Sequence, residues 1–293
     1  MNGRKETLGF IGLGVMGGAM CANVAKKHDA PVIAFDMVQA ALDAAQEVGA
    51  IPATSVAEVA KQAAIIFLSL PGGRQVKAVC DEIAGAASPG TVVVDLSTTS
   101  VAEAREVSAM LAGKGLQFAD APVARTRQAA QAGTLSIMVG ASEDLFAQIE
   151  PLLRYMGSDV THGGEVGCGQ VLKLVNNTLL FEHVAALSEM MVVAERAGVK
   201  PAKLVEAVSL GSGDSFALRN HGLKAMVPRE FPEKAFPSTY TLKDLGYAIE
   251  LAESMGVEPR VAKLAAEYYQ AAVDRGIGDK YFPAIIEVVD PRD

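Results

Sequence analysis

Three glycines, set where an apolar run gives way to a helical pattern, constrain this chain more than any other feature. The stretch GFIGLGVMGGAMCANV, residues 9–24, places Gly12, Gly14 and Gly17 in a G-x-G-x-x-G spacing. The apolar run at Leu8–Ile11 reads as a strand, and the residues after Gly17 read as a helix. That is the context in which such a loop cradles a pyrophosphate. Gly12 makes the tight turn, Gly14 lets the backbone approach the phosphates, and Gly17 lets helix and strand pack closely. Leu13, Val15 and Met16 complete the loop, although ordinary core packing accounts for Met16 nearly as well. A second strand pattern ends at Asp36, 19 residues past Gly17, where an acid accepts the adenosine ribose hydroxyls and repels a 2′-phosphate. Met37 follows, so no arginine stands beside it. NAD is therefore expected over NADP. The alternative, a bare glycine turn with a solvated aspartate, has to explain strand, glycines, helix and acid falling in register by chance.

Further apolar runs at 32–36, 65–70, 92–95, 117–121, 135–139 and 159–162 alternate with alanine-rich helical patterns such as 38–48, 55–62 and 100–113. Buried strands alternating with helices predict a mostly parallel, doubly wound sheet of Rossmann type. After Gly164 the strand signals stop. A long helical pattern runs from 168 to 197, Gly198 ends it, and helix-rich sequence follows. The expected organisation is a dinucleotide-binding domain over 1–163 and an all-α domain over 164–293 that opens with that helix.

The net charge of −8 argues against a non-specific nucleic-acid binder. No run of 18 apolar residues predicts a membrane span. A leader peptide built on Arg4, Lys5 and the following apolar run is the rival reading of the N-terminus, but glycines break that run. Three widely spaced cysteines and four scattered histidines form neither a disulfide framework nor a metal pattern. A reducing compartment, the cytoplasm, and no metal are expected.

Four more stretches, with the glycine loop and TLKDLGYAIELA (241–252), carry a resemblance. They are SLPGG (69–73), DLSTTS (95–100), DAPVARTRQAAQAGTLSIMVG (120–140) and GCGQVLKLVNN (167–177). Together they resemble the 3-hydroxyacid dehydrogenase family over nearly the whole chain, from Leu8 to about Val289. The resemblance implies a Rossmann-type domain, a long connecting helix, an all-α domain, a homodimer or homotetramer, and an active site between the domains. It makes Lys173 the proton-exchanging residue and Asn177, one turn later on the same face, its companion. A lysine acting as a base near neutral pH needs a depressed pKa, which partial burial or a neighbouring cation supplies. Periodicity alone would leave Lys173 on a solvated face, but Val171, Leu172, Leu174 and Val175 surround it. Lys243 matches a second lysine that closes over the nicotinamide end, with Asp244 beside it read as structural. Leu70 and Pro71 match the loop lining the dinucleotide, and Ser97 and Thr98 the loop near the nicotinamide ribose.

One stretch departs from the family. After Asp-Ala-Pro-Val the family reads Ser-Gly-Gly and binds a carboxylate largely through backbone N–H groups. Here Ala124, Arg125 and Thr126 stand instead, followed by Arg127. A guanidinium suits a carboxylate or a sulfonate, and an Arg-Thr pair at this place resembles the 3-sulfolactaldehyde reductase branch. Either Arg125 and Thr126 hold a small anionic substrate, or Arg125 turns into a surface salt bridge while backbone groups bind. Ser212 and Gly213 match a substrate-facing loop; Arg219 and His221 beyond it read as surface positions. The expected function is hydride transfer between a nicotinamide and the C3 hydroxyl or carbonyl of a small 3-hydroxyacid. The alternatives are a 3-sulfolactaldehyde reductase and, in another class, a dinucleotide sensor without turnover. Imine reductases share the fold but usually lack the lysine.

Overall fold

The computed structural model describes residues 6–233 and 235–291; Arg4 and Lys5 lie outside the described residues. The chain divides into two compact units, 1–173 and 174–293.

The first unit alternates strands and helices. Its elements are β1 (Leu8–Ile11), α1 (Gly17–Lys27), β2 (Val32–Phe35), α2 (Gln39–Glu47), β3 (Ile51–Pro52), α3 (Val56–Gln62), β4 (Ile65–Leu68), α4 (Gly73–Ala86), β5 (Val92–Asp95), α5 (Val101–Ala112), β6 (Gln117–Asp120), β7 (Val123–Ala124), α6 (Arg127–Ala132), β8 (Leu135–Gly140), α7 (Glu143–Leu153) and β9 (Gly157–Gly164). The strands form one sheet in the order β3-β2-β1-β4-β5-β6-β8-β7, with β9 on β8. All pairs are parallel except β6 with β8 and β7 with β8. Every residue of β1, β4 and β5 is buried, as expected of strands covered on both faces. Phe10, Phe67, Val92 and Val94 face one helical layer with Met20 and Val24. Ile11, Ile66 and Val93 face the other, with Val59, Ile83 and Leu111. The order reverses between β1 and β4, and ligands of such sheets bind at the carboxyl ends of strands at this switch point.

The expected strands are present with ends shifted by a residue or two, and β9 begins two residues earlier than 159. Two strands, β3 and β7, had not been expected. Each is two residues long, too short for an alternating pattern to register.

The long helix α8 (Cys168–Arg196) begins in the first unit and continues into the second. There follow α9 (Pro201–Val208), a π-helix (Ala217–Met226), α10 (Ser238–Ser254), α11 (Arg260–Asp274), a 3₁₀ turn (Phe282–Ile285) and α12 (Ile286–Val289). Among its described residues, the second unit has only two isolated β-bridges. Its core gathers Phe181, Val184, Tyr269 and Phe282; the Phe181 ring meets those of Tyr269 and Phe282 edge to face, at 5.9 and 5.5 Å between centroids. The fold class is thus the one the sequence led us to expect. Among the described residues, no helix is long and apolar enough to cross a membrane.

Candidate active site

The glycine loop lies between β1 and α1. Gly12 has φ +93°, and a Cβ there would run into the carbonyl of Ser69, in the loop after β4. Only glycine meets both demands without strain. A Cβ on Gly17 would strike the Gly12 carbonyl, whereas Gly14 faces open space. No side chain caps α1 and its first turn carries no acid, so its N–H groups and dipole remain suited to an anion. Asp36 closes the turn: its Oδ2 accepts from Leu13 N at 2.6 Å and its Oδ1 from Val38 N at 2.8 Å. The open Gly14, the uncapped helix and the fixed acid fit a nicotinamide dinucleotide.

The loops after β4 and β5 are tied together. Leu70 N, next to Pro71, donates to Ser97 Oγ at 2.9 Å, and Ser97 N donates to Asp95 Oδ1 at 3.0 Å. Gln170 joins this loop to α8. Its Nε2 donates to Ser97 O at 2.9 Å and its Oε1 accepts from Thr99 N at 3.2 Å, so Thr98 lies between the two bonds. Lys173 sits one turn further along α8 and is buried, as is Asn177.

The start of α8 is held from the sheet. Asp120, the last residue of β6, accepts from Gly167 N at 2.6 Å and from Gln170 N at 2.8 Å. The first N–H groups of a helix have no partner within it, and here a carboxylate from a distant strand takes two of them. Gly140 and Gly169 permit the approach, since a Cβ on either would collide with Asp120. Burial pushes the Asp120 carboxyl up to about 6, against the lowering effect of the two N–H donors and of Arg105. Above pH 7 it is ionised and holds both donors.

In the second unit, Asn177 Nδ2 donates to Asp244 Oδ2 at 2.7 Å, and Lys243 Nζ lies 3.0 Å from Asp244 Oδ1. Lys243 also stands over the Tyr247 ring, 5.1 Å from its centroid. Asp244, read from sequence as structural, is therefore the link between Asn177 and Lys243. Its adjacency to Lys243 was the one available signal; the partner 67 positions away was not visible.

The stretch Ala124–Arg127 has a glycine-like backbone at a residue that is not glycine. Arg125 has φ +88°, a conformation that ordinary residues avoid at a cost of about 1–2 kcal/mol. Its guanidinium donates to Thr134 O at 2.6 Å and to Ser158 Oγ at 2.9 Å, and pairs with Asp159 at 2.7 Å. These contacts hold Asp159 below the usual carboxylate range, the Ser158 hydroxyl foremost and Arg125 next. Of the two sequence readings of Arg125, the described conformation is the exposed salt bridge. Thr126 Oγ1 accepts from Ala129 N and caps α6, and Ala124 pairs with Ser136 in the sheet.

Ser212 and Gly213 lie in the loop between α9 and the π-helix. Arg219 is exposed and pairs with Asp214. His221 differs from expectation: it is buried in the π-helix, its Nδ1 lies 2.6 Å from Tyr281 Oη, and its ring packs on Phe282. Burial, aided by Lys224, pushes its pKa down to about 4. Its partners Tyr281 and Phe282 lie far along the chain, which is why its burial was not visible in the sequence.

Comparison with known proteins agrees with this geometry. Residues 7–164 match the NAD binding domain of 6-phosphogluconate dehydrogenase, and 167–289 match the NAD-binding domain of NADP-dependent 3-hydroxyisobutyrate dehydrogenase. The chain is 36% identical to 2-(hydroxymethyl)glutarate dehydrogenase of Eubacterium barkeri, covering 96% of this chain and 94% of that one. It is 30% identical to NAD-dependent L-serine dehydrogenase of Pseudomonas aeruginosa, covering 98% of each. A solved 3-hydroxyisobutyrate dehydrogenase of Mycobacterium tuberculosis, described with L-serine, superposes with a TM-score of 0.88 at 29% identity, over 98% of this chain and 99% of that one. Fold and site thus define a dehydrogenase of CH–OH groups with a nicotinamide-dinucleotide domain. Within that class, the chain belongs to the 3-hydroxyacid dehydrogenase family.

The raised pKa of Asp120 has a thermodynamic consequence. A carboxyl protonated more readily in the folded than in the unfolded chain adds stability at low pH, and that stability is lost as pH rises through the folded value. Between about pH 4 and 6, the stability of the wild type relative to Asp120→Asn should fall by about 2–3 kcal/mol, at roughly 1.4 kcal/mol per pKa unit. Urea unfolding of both proteins at several pH values measures it, and a pH-independent difference would rule the assignment out.

Proposed function

We propose that this enzyme interconverts a 2-substituted 3-hydroxypropanoate and its semialdehyde, with NAD preferred to NADP, and that Lys173 exchanges the proton at the C3 oxygen. Three relatives are named for 3-hydroxyisobutyrate, L-serine and 2-(hydroxymethyl)glutarate. Those acids share a hydroxymethyl carbon next to a carbon bearing a carboxylate, and differ in the remaining substituent. The observation that carries the reading is the placement of Lys173. It is buried on a helix fastened to the loop after β5, one turn before Asn177.

The bound nicotinamide supplies the hydride chemistry. Lys173 Nζ takes the hydroxyl proton during oxidation and returns it during reduction. Asn177 cannot titrate and orients the lysine or a substrate oxygen, with its amide fixed by Asp244. Lys243, paired with the same carboxylate, serves the nicotinamide end. Gly12, Gly14 and Gly17, with Leu13, Val15 and Met16, hold the pyrophosphate; Asp36 takes the adenosine ribose; Leu70, Pro71, Ser97 and Thr98 line the rest.

Backbone groups of Ala124, Arg125 and Thr126 hold the substrate carboxylate, and Ser212 and Gly213 contact substrate from their own loop. The engagement of the Arg125 guanidinium with Asp159 favours this reading over direct sulfonate recognition. We further place the enzyme in the cytoplasm, a reducing setting that suits its three free cysteines. Exposed Leu179, Met190 and Val193 along α8 support a homodimer or homotetramer; light scattering giving a monomer mass would refute that.

Lys173→Ala should lower turnover about 10²- to 10⁴-fold with NADH affinity nearly kept. Retained turnover would remove the lysine from the chemistry, and NADH binding without turnover by the wild type on any acid would favour the sensor. The acids to compare are the three above, methylmalonate and tartronate semialdehydes, and 3-sulfolactaldehyde; strong preference for the last would return Arg125 to sulfonate recognition. Asp36→Ala should weaken NAD binding far more than NADP binding, and equal loss for both would end that role.

A further inference from the structure

We propose that Gln170 is a positioning residue: its side-chain amide fastens the 97–99 loop to the first turn of α8 and so sets Lys173 against that loop. The inference rests on Lys173 being the proton-exchanging group.

Gln170 is fully buried, and its amide makes two bonds of opposite polarity. Its Nε2 donates to Ser97 O at 2.9 Å and its Oε1 accepts from Thr99 N at 3.2 Å. A strand lying beside the loop would offer the same donor and acceptor to residues two apart. A single side chain imitates that pairing only if one planar group carries both functions, as the amides of Gln and Asn do. A carboxylate would set a second acceptor against Ser97 O, and an apolar chain would leave both loop groups buried without partners.

The backbone N–H of Gln170 is meanwhile taken by Asp120 at 2.8 Å, so this residue is also tied to the sheet. On the far side, Ser97 Oγ accepts from Leu70 N at 2.9 Å, which extends the connection to the loop after β4. Residues i and i+3 are neighbours on a helix surface, so a shift at Gln170 is passed to Lys173 with little attenuation. Misplacement of a reacting group by about 1 Å costs on the order of 10²-fold in rate.

The test uses the full chain and whichever of 3-hydroxyisobutyrate, L-serine and 2-(hydroxymethyl)glutarate the wild type oxidises fastest, with and without deuterium at the hydroxymethyl carbon. Gln170→Met keeps the length of the side chain and removes both bonds. Gln170→Asn keeps both functions but falls a methylene short. Active sites are counted by titrating NADH fluorescence, so that a merely structural defect appears as fewer sites rather than slower ones. We expect kcat per site to fall about 10- to 100-fold in both variants, with a larger deuterium isotope effect. A folded variant within threefold of wild type and with an unchanged isotope effect overturns the inference, and if the Met variant does not fold, the Asn variant decides. Lys173→Ala is measured alongside. Should it keep turnover, the reading beneath this inference fails; should it alone lose turnover, the role of Gln170 fails by itself.

Discussion

The carboxylate of Asp120 stands where three parts of the first unit meet. It ends β6, it is separated from β7 by two residues, and it takes two N–H groups from the start of α8. A helix start buried without acceptors leaves donors unsatisfied, at about 1–3 kcal/mol each. The dipole of a helix also favours negative charge at that end. Burial opposes ionisation and wins in the pKa, yet at neutral pH the charge is present. The long helix therefore starts where the sheet lets it start. Two glycines clear the space, and Gln170 uses the same turn to reach the loop after β5.

The second unit has its own buried charge. Asp244 lies between an amide and an ammonium, Asn177 on one side and Lys243 on the other. Removing either partner would leave a carboxylate in the interior with half its compensation, and breaking such a buried pair is strongly destabilising. Asn177 and Lys243 are thus coupled through a residue that need not touch a ligand.

Much of the architecture was legible because it rests on local pattern. The strand at Leu8–Ile11, the glycine spacing and Asp36 all report to one another over a short stretch of chain. The apolar runs of β4 and β5 are uninterrupted because both faces are covered. What escaped reading was set by distance or by unusual geometry. Gln170 pairs with residues 71 and 73 positions away, and nothing about a glutamine in an apolar helix start announces that. Asp244 has its partner 67 positions off. His221 is packed against Tyr281, 60 positions further on. Arg125 presented a choice between two partners for one guanidinium, and the acid that decided it, Asp159, belongs to a strand laid alongside only in three dimensions.

The bend at Arg125 has a consequence for the loop that carries it. A turn in the left-handed region ordinarily ties a position to glycine, and so to having no side chain. Here a guanidinium clasped by Thr134, Ser158 and Asp159 holds the same turn. The path of the chain at this point therefore leans on the side chain that occupies it. The supporting residues, Ser158 and Asp159, lie adjacent on one strand, so the shape of this loop answers to a segment more than thirty positions along the chain rather than to the freedom of a bare backbone.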